Sequence, residues 1–232
     1  MKEVRRILVI VAHPDDAEFG CAGSVARWVG EEREIFYCIA TSGNRGSDDP
    51  TMTPERLASI REDEQRAAAR TLGVKDLVFL GYPDGELEDT REARRDVVRA
   101  IRRFRPDRVV TQNPFPTLNS YSGHRDHRHA GRLALDAVYP YARDRLHFPD
   151  LLAEGLLPHK VREVYLMGHP DPDTVVDISA TMEQKLAALR AHASQLKDFA
   201  RVEGLVRERA ADIAKPHGYT YAEAFRLIEL PR

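Results

Sequence analysis

The chain has 232 residues, with 35 Lys and Arg against 37 Asp and Glu for a net charge of −2, and a hydrophobic content of 42%. Balanced charge excludes a general nucleic-acid binder, which needs a Lys and Arg excess to neutralise phosphates, and a chain of this length buries roughly 70–75% of its unfolded surface without staples. Cys21 and Cys38 form neither a disulfide framework nor a Cys-x-x-Cys pair, so a metal held by any of the nine histidines would take nitrogen and oxygen ligands.

The first apolar run, residues 7–12, is too short for a secretory core and closes at Asp15 and Asp16. No run approaches the roughly 18 apolar residues of a membrane span. With its free thiols, the chain reads as cytoplasmic, without membrane association. Apolar runs rich in β-branched and aromatic residues at 7–11, 35–39, 77–80 and 109–111 predict strands buried on both faces. Between them, residues 23–30, 54–72, 90–104 and 127–139 have helical spacing. Thr53 and Pro54 supply a helix start and Gly73 a stop.

This alternation predicts an α/β fold: a Rossmann-like, doubly wound, mostly parallel sheet in three αβα layers, with strand order 3-2-1-4. Farther on, 164–167 and 175–178 read as strands that could form an antiparallel addition, and 181–196 and 205–214 as helices, giving a C-terminal αβ extension. No Gly, Ser or Pro linker divides the chain, so one domain over 1–232 is expected, with 141–159 its most irregular part.

Ala12-His13-Pro14-Asp15-Asp16 falls at the carboxyl end of the first strand, where open parallel sheets bind ligands. An Asp pair alone would serve as a helix N-cap. His13 beside it adds imidazole to carboxylate, a donor set suited to zinc or a similar cation. After the fourth strand, His124-Arg125-Asp126-His127-Arg128-His129 puts three histidines within six residues. A surface loop could carry them idly, but the predicted order makes strands one and four neighbours and turns both clusters into one crevice. No dinucleotide fingerprint, phosphate-binding Walker loop, His-Glu-x-x-His or nucleophile elbow is present. Residues 20–23, Gly-Cys-Ala-Gly, suit close packing of the first helix on the sheet. Residues 41–46 read as a turn or, alternatively, a phosphate cradle.

In these two clusters the sequence resembles the PIG-L family, also called LmbE-like, of metal-dependent N-acetylglucosaminyl deacetylases. Ala12 to Asp16 match its Ala-His-Pro-Asp-Asp signature and His124 to His127 its His-x-Asp-His signature. Weaker family-like features are Arg61 with Glu64, Pro83-Asp84, and Tyr221-Ala222-Glu223-Ala224-Phe225. The resemblance implies His13, Asp16 and His127 as metal ligands, Asp15 as general base, His124 as the group polarising the acetyl carbonyl, and Asp126 as the partner tuning His124, a carboxylate that would favour its charged form. It implies Arg61 as a substrate contact, beside a plain helix salt bridge with Glu64 or Gln65. His129 reads as solvated or one step removed from the site.

The implied cofactor is zinc, with iron(II) or another divalent metal as alternatives. The implied partner is a small amino-sugar substrate, and the implied assembly a homo-oligomer, trimeric or hexameric. A different small N-acyl substrate and a non-catalytic metal or sugar binder are the competing readings; a structural zinc would have a closed fourth ligand and no base. Arg125 replaces a proline common in relatives, and Asn44 a glutamate. Tyr221 to Phe225 lean towards the branch acting on the malate conjugate of N-acetylglucosamine.

Overall fold

The computed structural model describes residues 3–115 and 123–231. In chain order they form β1 (Arg6–Val11), α1 (Asp16–Gly30), β2 (Glu34–Thr41), α2 (Pro54–Leu72), β3 (Asp76–Tyr82), α3 (Arg91–Phe104), β4 (Arg108–Gln112), α4 (Arg125–Asp136), α5 (Pro149–Ala153), β5 (Glu163–Met167), β6 (Thr174–Asp177), α6 (Met182–Arg190), α7 (Phe199–Ala214) and β7 (Ala222–Glu229). One seven-stranded sheet runs β3-β2-β1-β4-β5-β7-β6. The expected 3-2-1-4 order is its first part, and β3, β2, β1, β4 and β5 are mutually parallel.

Both faces are covered, which is why the strands read as continuous apolar runs rather than alternating ones. Ile7, Val9 and Val11 of β1 pack with Ala17, Cys21 and Val25 of α1 and Leu72 of α2. Leu8 and Ile10, pointing the other way, join Val97 and Ile101 of α3 and Leu133 of α4. The result is the expected three-layer α/β architecture. Thr53 caps α2 by accepting from the Arg56 N–H at 3.2 Å, and Gly73 ends it in a left-handed conformation at φ 76°.

Several boundaries differ from the sequence reading. Helix α1 starts at Asp16, not residue 23. Gly20 and Gly23 do not delay it: a Cβ on Gly20 would stand 2.4 Å from Met167 Sδ, and one on Gly23 2.7 Å from Ile178 Cδ1. They let the helix close on the sheet, as expected for this segment. Helix α6 ends at Arg190, and α7 begins at Phe199, capped by Asp198 accepting from the Arg201 N–H.

Strand β7 was not expected. It inserts between β5 and β6, antiparallel to both, whereas β5 extends the parallel sheet. Its Glu223 is buried because the Gly23 and Ser24 amides and Lys185 Nζ all donate to it. The irregular stretch after α4 is organised by Arg102, 1% exposed, which donates to the carbonyls of Tyr141, Ala142, Asp144 and His147. Among the described residues no helix is long and apolar enough to cross a membrane.

Candidate metal centre and active site

The carboxyl ends of the adjacent strands β1 and β4 open the crevice that the topology predicts. Gln112, closing β4, uses its Oε1 to accept from the Ala12 N–H at 3.1 Å and so ties the two strand ends together. Helix α4 lies tight against β4, since a Cβ on Gly131 would stand 2.2 Å from the Gln112 carbonyl oxygen. That contact fixes the helix carrying His127 over the segment carrying His13 and Asp16.

His13, His124 and His127 cluster with ring centroids 4.9 to 5.2 Å apart. The two ring nitrogens of His13 have different surroundings. Nε2 faces carboxylates, 2.9 Å from Asp84 Oδ1 and 3.3 Å from Asp126 Oδ2. Nδ1 stands 3.3 Å from His127 Nε2 and 3.4 Å from Asp16 Oδ2. Asp16 Oδ1 is 3.0 Å from His127 Nε2. The two ring nitrogens lie 3.3 Å apart, and the Asp16 carboxylate spans them, Oδ2 at 3.4 Å from His13 Nδ1 and Oδ1 at 3.0 Å from His127 Nε2. Tetrahedral ligands at about 2.0–2.1 Å from a zinc ion stand about 3.3–3.4 Å apart, so the spacing fits a cation.

Burial alone would lower the His13 pKa, but hydrogen bonds to Asp126, Asp16 and Asp84 push it up to about 12. Burial would raise Asp16, yet the charges and hydrogen bonds of His127 and His13 hold it far below the usual carboxylate range. Such a site calls for positive charge at its centre, which a divalent ion supplies as well as a proton does. His13, His124 and His127, and separately His13, Asp84 and Asp126, also form groups that could hold a metal. Asp84 and Asp126 are already engaged, their Oδ2 atoms accepting from the Arg45 and Gly85 amides. This leaves the Nδ1 side of His13 as the open one.

Asp15 takes a left-handed backbone, φ 87°, and caps α1 without a side-chain cap bond. Burial first, then the neighbouring Asp16 charge, push its carboxyl up to about 7, while Arg61 and His192 pull it down. Arg61, 5% exposed, donates to Pro14 O at 2.7 Å, Gly43 O at 2.9 Å and Asp15 Oδ2 at 3.3 Å. The alternative helix salt bridge is absent: Glu64 accepts from Ser194, and Gln65 binds the Asp15 amide and Glu18.

The expected pairing of Asp126 with His124 takes a different form. The Asp126 carboxylate reaches His13 and the Gly85 amide, and only its backbone N–H meets His124, donating to Nδ1 at 3.2 Å. His124 is the N-cap of α4, and an Nδ1 that accepts leaves the ring proton on Nε2. Burial and then the His13 and His127 charges lower the His124 pKa, outweighing Asp126. That geometry presents Nε2–H as the ring's donor, and the lowered pKa favours the neutral form.

A family model described as GlcNAc-PI de-N-acetylase, PIG-L, matches residues 8–138, the stretch that carries this whole constellation. The chain belongs to the PIG-L family. It is 36% identical to the diacetylchitobiose deacetylase of Thermococcus kodakarensis, over 97% of this chain and 84% of the relative. It is 29% identical to a probable N-acetyl-alpha-D-glucosaminyl L-malate deacetylase 2 of Bacillus anthracis, over 84% of this chain and 83% of the relative. The solved N,N′-diacetylchitobiose deacetylase of Pyrococcus horikoshii superposes with a TM-score of 0.91 at 33% identity, covering 98% of this chain and 85% of that one.

The two departures from the PIG-L pattern support the loops over the site. Asn44 Oδ1 accepts from the Asp84 N–H at 3.2 Å. Arg125 donates to Leu87 O at 2.6 Å and to Glu88 Oε1, tying the segment whose Gly85 amide holds Asp126. The turn reading of residues 41–46 fits, as Gly43 is left-handed at φ 59° and its carbonyl receives Arg61. His129 stands apart from the histidine cluster, lining a cavity of about 250 Å³ with Pro114, Phe115, Arg128 and Arg132.

Sequence reasoning gave no place in the site to Asp84, Glu18, Gln65 or His192. Asp84 had a usable signal: Pro83-Asp84 follows β3 as Pro14-Asp15 follows β1. Gln65 lies four residues after Arg61, on the same helix face. His192 had none.

Proposed function

We propose that the protein hydrolyses the N-acetyl group of an N-acetylglucosaminyl compound to acetate and a free amino sugar, at a site where His13, Asp16 and His127 hold one divalent metal, zinc in the first instance. The observation that carries this reading is the convergence of His13 Nδ1, His127 Nε2 and the Asp16 carboxylate that spans them, with contacts of 3.0 to 3.4 Å, beside Asp15, a carboxylate braced separately by Arg61. A bound divalent cation would supply acidification of water and polarisation of a carbonyl.

The residues divide the remaining work. His13 is oriented by Asp84 and Asp126, which hold its Nε2 proton and leave Nδ1 free for coordination. Asp15 takes a proton from the attacking water as its oxygen bonds to the acetyl carbon. The carbonyl π electrons move onto oxygen, where His124 Nε2–H donates to the growing negative charge. The C–N bond then breaks, and the nitrogen takes the proton back from Asp15. A carboxyl near 7 suits both transfers at neutral pH. Arg61 fixes Asp15 in this scheme; with its guanidinium engaged by protein, substrate contact is its secondary role.

The higher similarity to diacetylchitobiose deacetylases, 36% against 29% for the malate enzyme, supports N,N′-diacetylchitobiose as substrate rather than the malate conjugate that residues 221–225 favoured. Zinc and a trimeric or hexameric assembly belong to the same proposal and rest on the family resemblance; a cytoplasmic location belongs to it too and rests on the free thiols Cys21 and Cys38. Acetate release measured side by side on N-acetylglucosamine, N,N′-diacetylchitobiose and N-acetylglucosaminyl malate tests it. Turnover highest on the chitobiose is expected. No release from any of the three, by protein loaded with metal, would overturn the substrate class in favour of another N-acyl compound.

A further inference from the structure

We propose that Gln65 is a positioning residue for Asp15, itself fixed by Glu18 and His192, so that a buried hydrogen-bond chain reaching across α2 and α1 to the end of α6 sets the geometry of the proton-transferring carboxylate. This rests on the reading of Asp15 as the group that moves the proton.

The chain starts at the backbone. Asp15 is a non-glycine residue in the left-handed region, and its N–H is one of the helix-start donors that no helical carbonyl can satisfy. Gln65 Oε1 accepts from that N–H at 3.0 Å. A side-chain amide can face either way. Here Gln65 Nε2 donates to Glu18 Oε1 at 3.0 Å, and a carboxylate that only accepts fixes the amide with its oxygen towards Asp15. The second oxygen of Glu18 is 3.2 Å from His192 Nε2.

Glu18, Gln65 and His192 are all fully buried. An apolar filling of the same gap between helices would serve stability at least as well as this polar triad. Its selective product is direction: Asp15 receives one contact from Gln65 and one from Arg61, a helical turn earlier on α2. The same turn that presents His192 also secures its surroundings. Ser194 donates through N–H and Oγ to Glu64, each at 2.7 Å, and Gln195 Nε2 donates to Gly46 O at 3.1 Å. Metal-ligand contacts of Asp16 lie outside this chain, so the two can be separated.

The test compares wild type, Gln65→Leu, the exchange Glu18→Gln with Gln65→Glu, and Asp15→Asn, all loaded with zinc. For Gln65→Leu, kcat is expected to fall about 100-fold, the scale of a 1 Å misplacement, with KM and metal content retained. In the exchange every contact is rebuilt: the carboxylate placed on α2 accepts from the Asp15 N–H and from the amide placed on α1, and the oxygen of that amide accepts from His192. It is expected to recover at least about tenfold over Gln65→Leu. If Gln65→Leu does not fold, the exchange is judged against wild type by the same margin. Gln65→Leu with kcat near wild type, or an exchange variant that fails to fold or to recover, overturns the proposal. An active Asp15→Asn would instead remove the reading of Asp15 on which it stands, so the two failures are told apart.

Discussion

His13 Nε2 stands 2.9 Å from Asp84 Oδ1, and this contact decides which ring nitrogen of His13 is left to face Asp16 and His127. A ligand histidine typically donates its other N–H to a carboxylate, and losing that partner costs about 10–100-fold in metal affinity. Asp84→Ala is therefore expected to weaken zinc binding by about that factor in chelator competition, although Asp84 is not itself a proposed ligand. Unchanged affinity would mean that Asp126 alone orients the ring.

Gly131 governs the approach of α4 to the sheet. A methyl there would meet the Gln112 carbonyl at 2.2 Å, a backbone atom that cannot swing aside. Gly131→Ala is expected to destabilise the fold by about 1–3 kcal/mol and, by lifting the helix that carries His127, to lower metal affinity as well. Denaturant unfolding and metal titration read the two effects.

Arg102 stabilises the segment after α4 through four or more carbonyls, with burial lowering its pKa. Arg102→Met would leave buried carbonyls without their donor, a loss of about 1–3 kcal/mol for each well-buried group and more than about 3 in total. Urea unfolding should show it, with new protease cleavage between Tyr141 and His147. A change under about 1 kcal/mol would contradict the role.

His192 makes one contribution to stability depend on pH. Burial lowers its pKa, but the hydrogen bond and charge of Glu18, then the charges of Asp15 and Glu64, raise it above the ordinary 6.5. The folded state holds the proton more tightly than the unfolded one. Its stabilisation is therefore complete below about 6.5 and lost as pH climbs through the higher folded value. The stability advantage of wild type over His192→Gln should be larger at about pH 6 than at about pH 9. A constant or growing advantage would contradict it.

Strands β1 to β4 and the two family signatures were legible because each is local: a short run buried on both faces, or four to five adjacent residues. Strand β7 was not. Ala222-Glu223-Ala224-Phe225-Arg226 shows no apolar alternation, since Glu223 is buried against amides of α1, and Arg226 pairs with Asp171 and Asp173. The start of α1 was hidden by glycines needed for close approach. The braces behind the site were hidden by distance: Gln65 meets Asp15 across 50 positions, and His192 meets Glu18 across 174. The Asp126 contact with His124 was legible only as proximity: closeness in sequence puts the Asp126 amide, not its carboxylate, on the ring.

The most direct test of the account is Asp15→Asn, assayed for bound metal and acetate release on the same preparation. The account predicts about one divalent ion per chain, as in wild type, with turnover reduced at least about 100-fold, the scale of a lost general base. A variant that keeps both metal and near-wild-type turnover would contradict it, and so would one that loses the metal along with the activity.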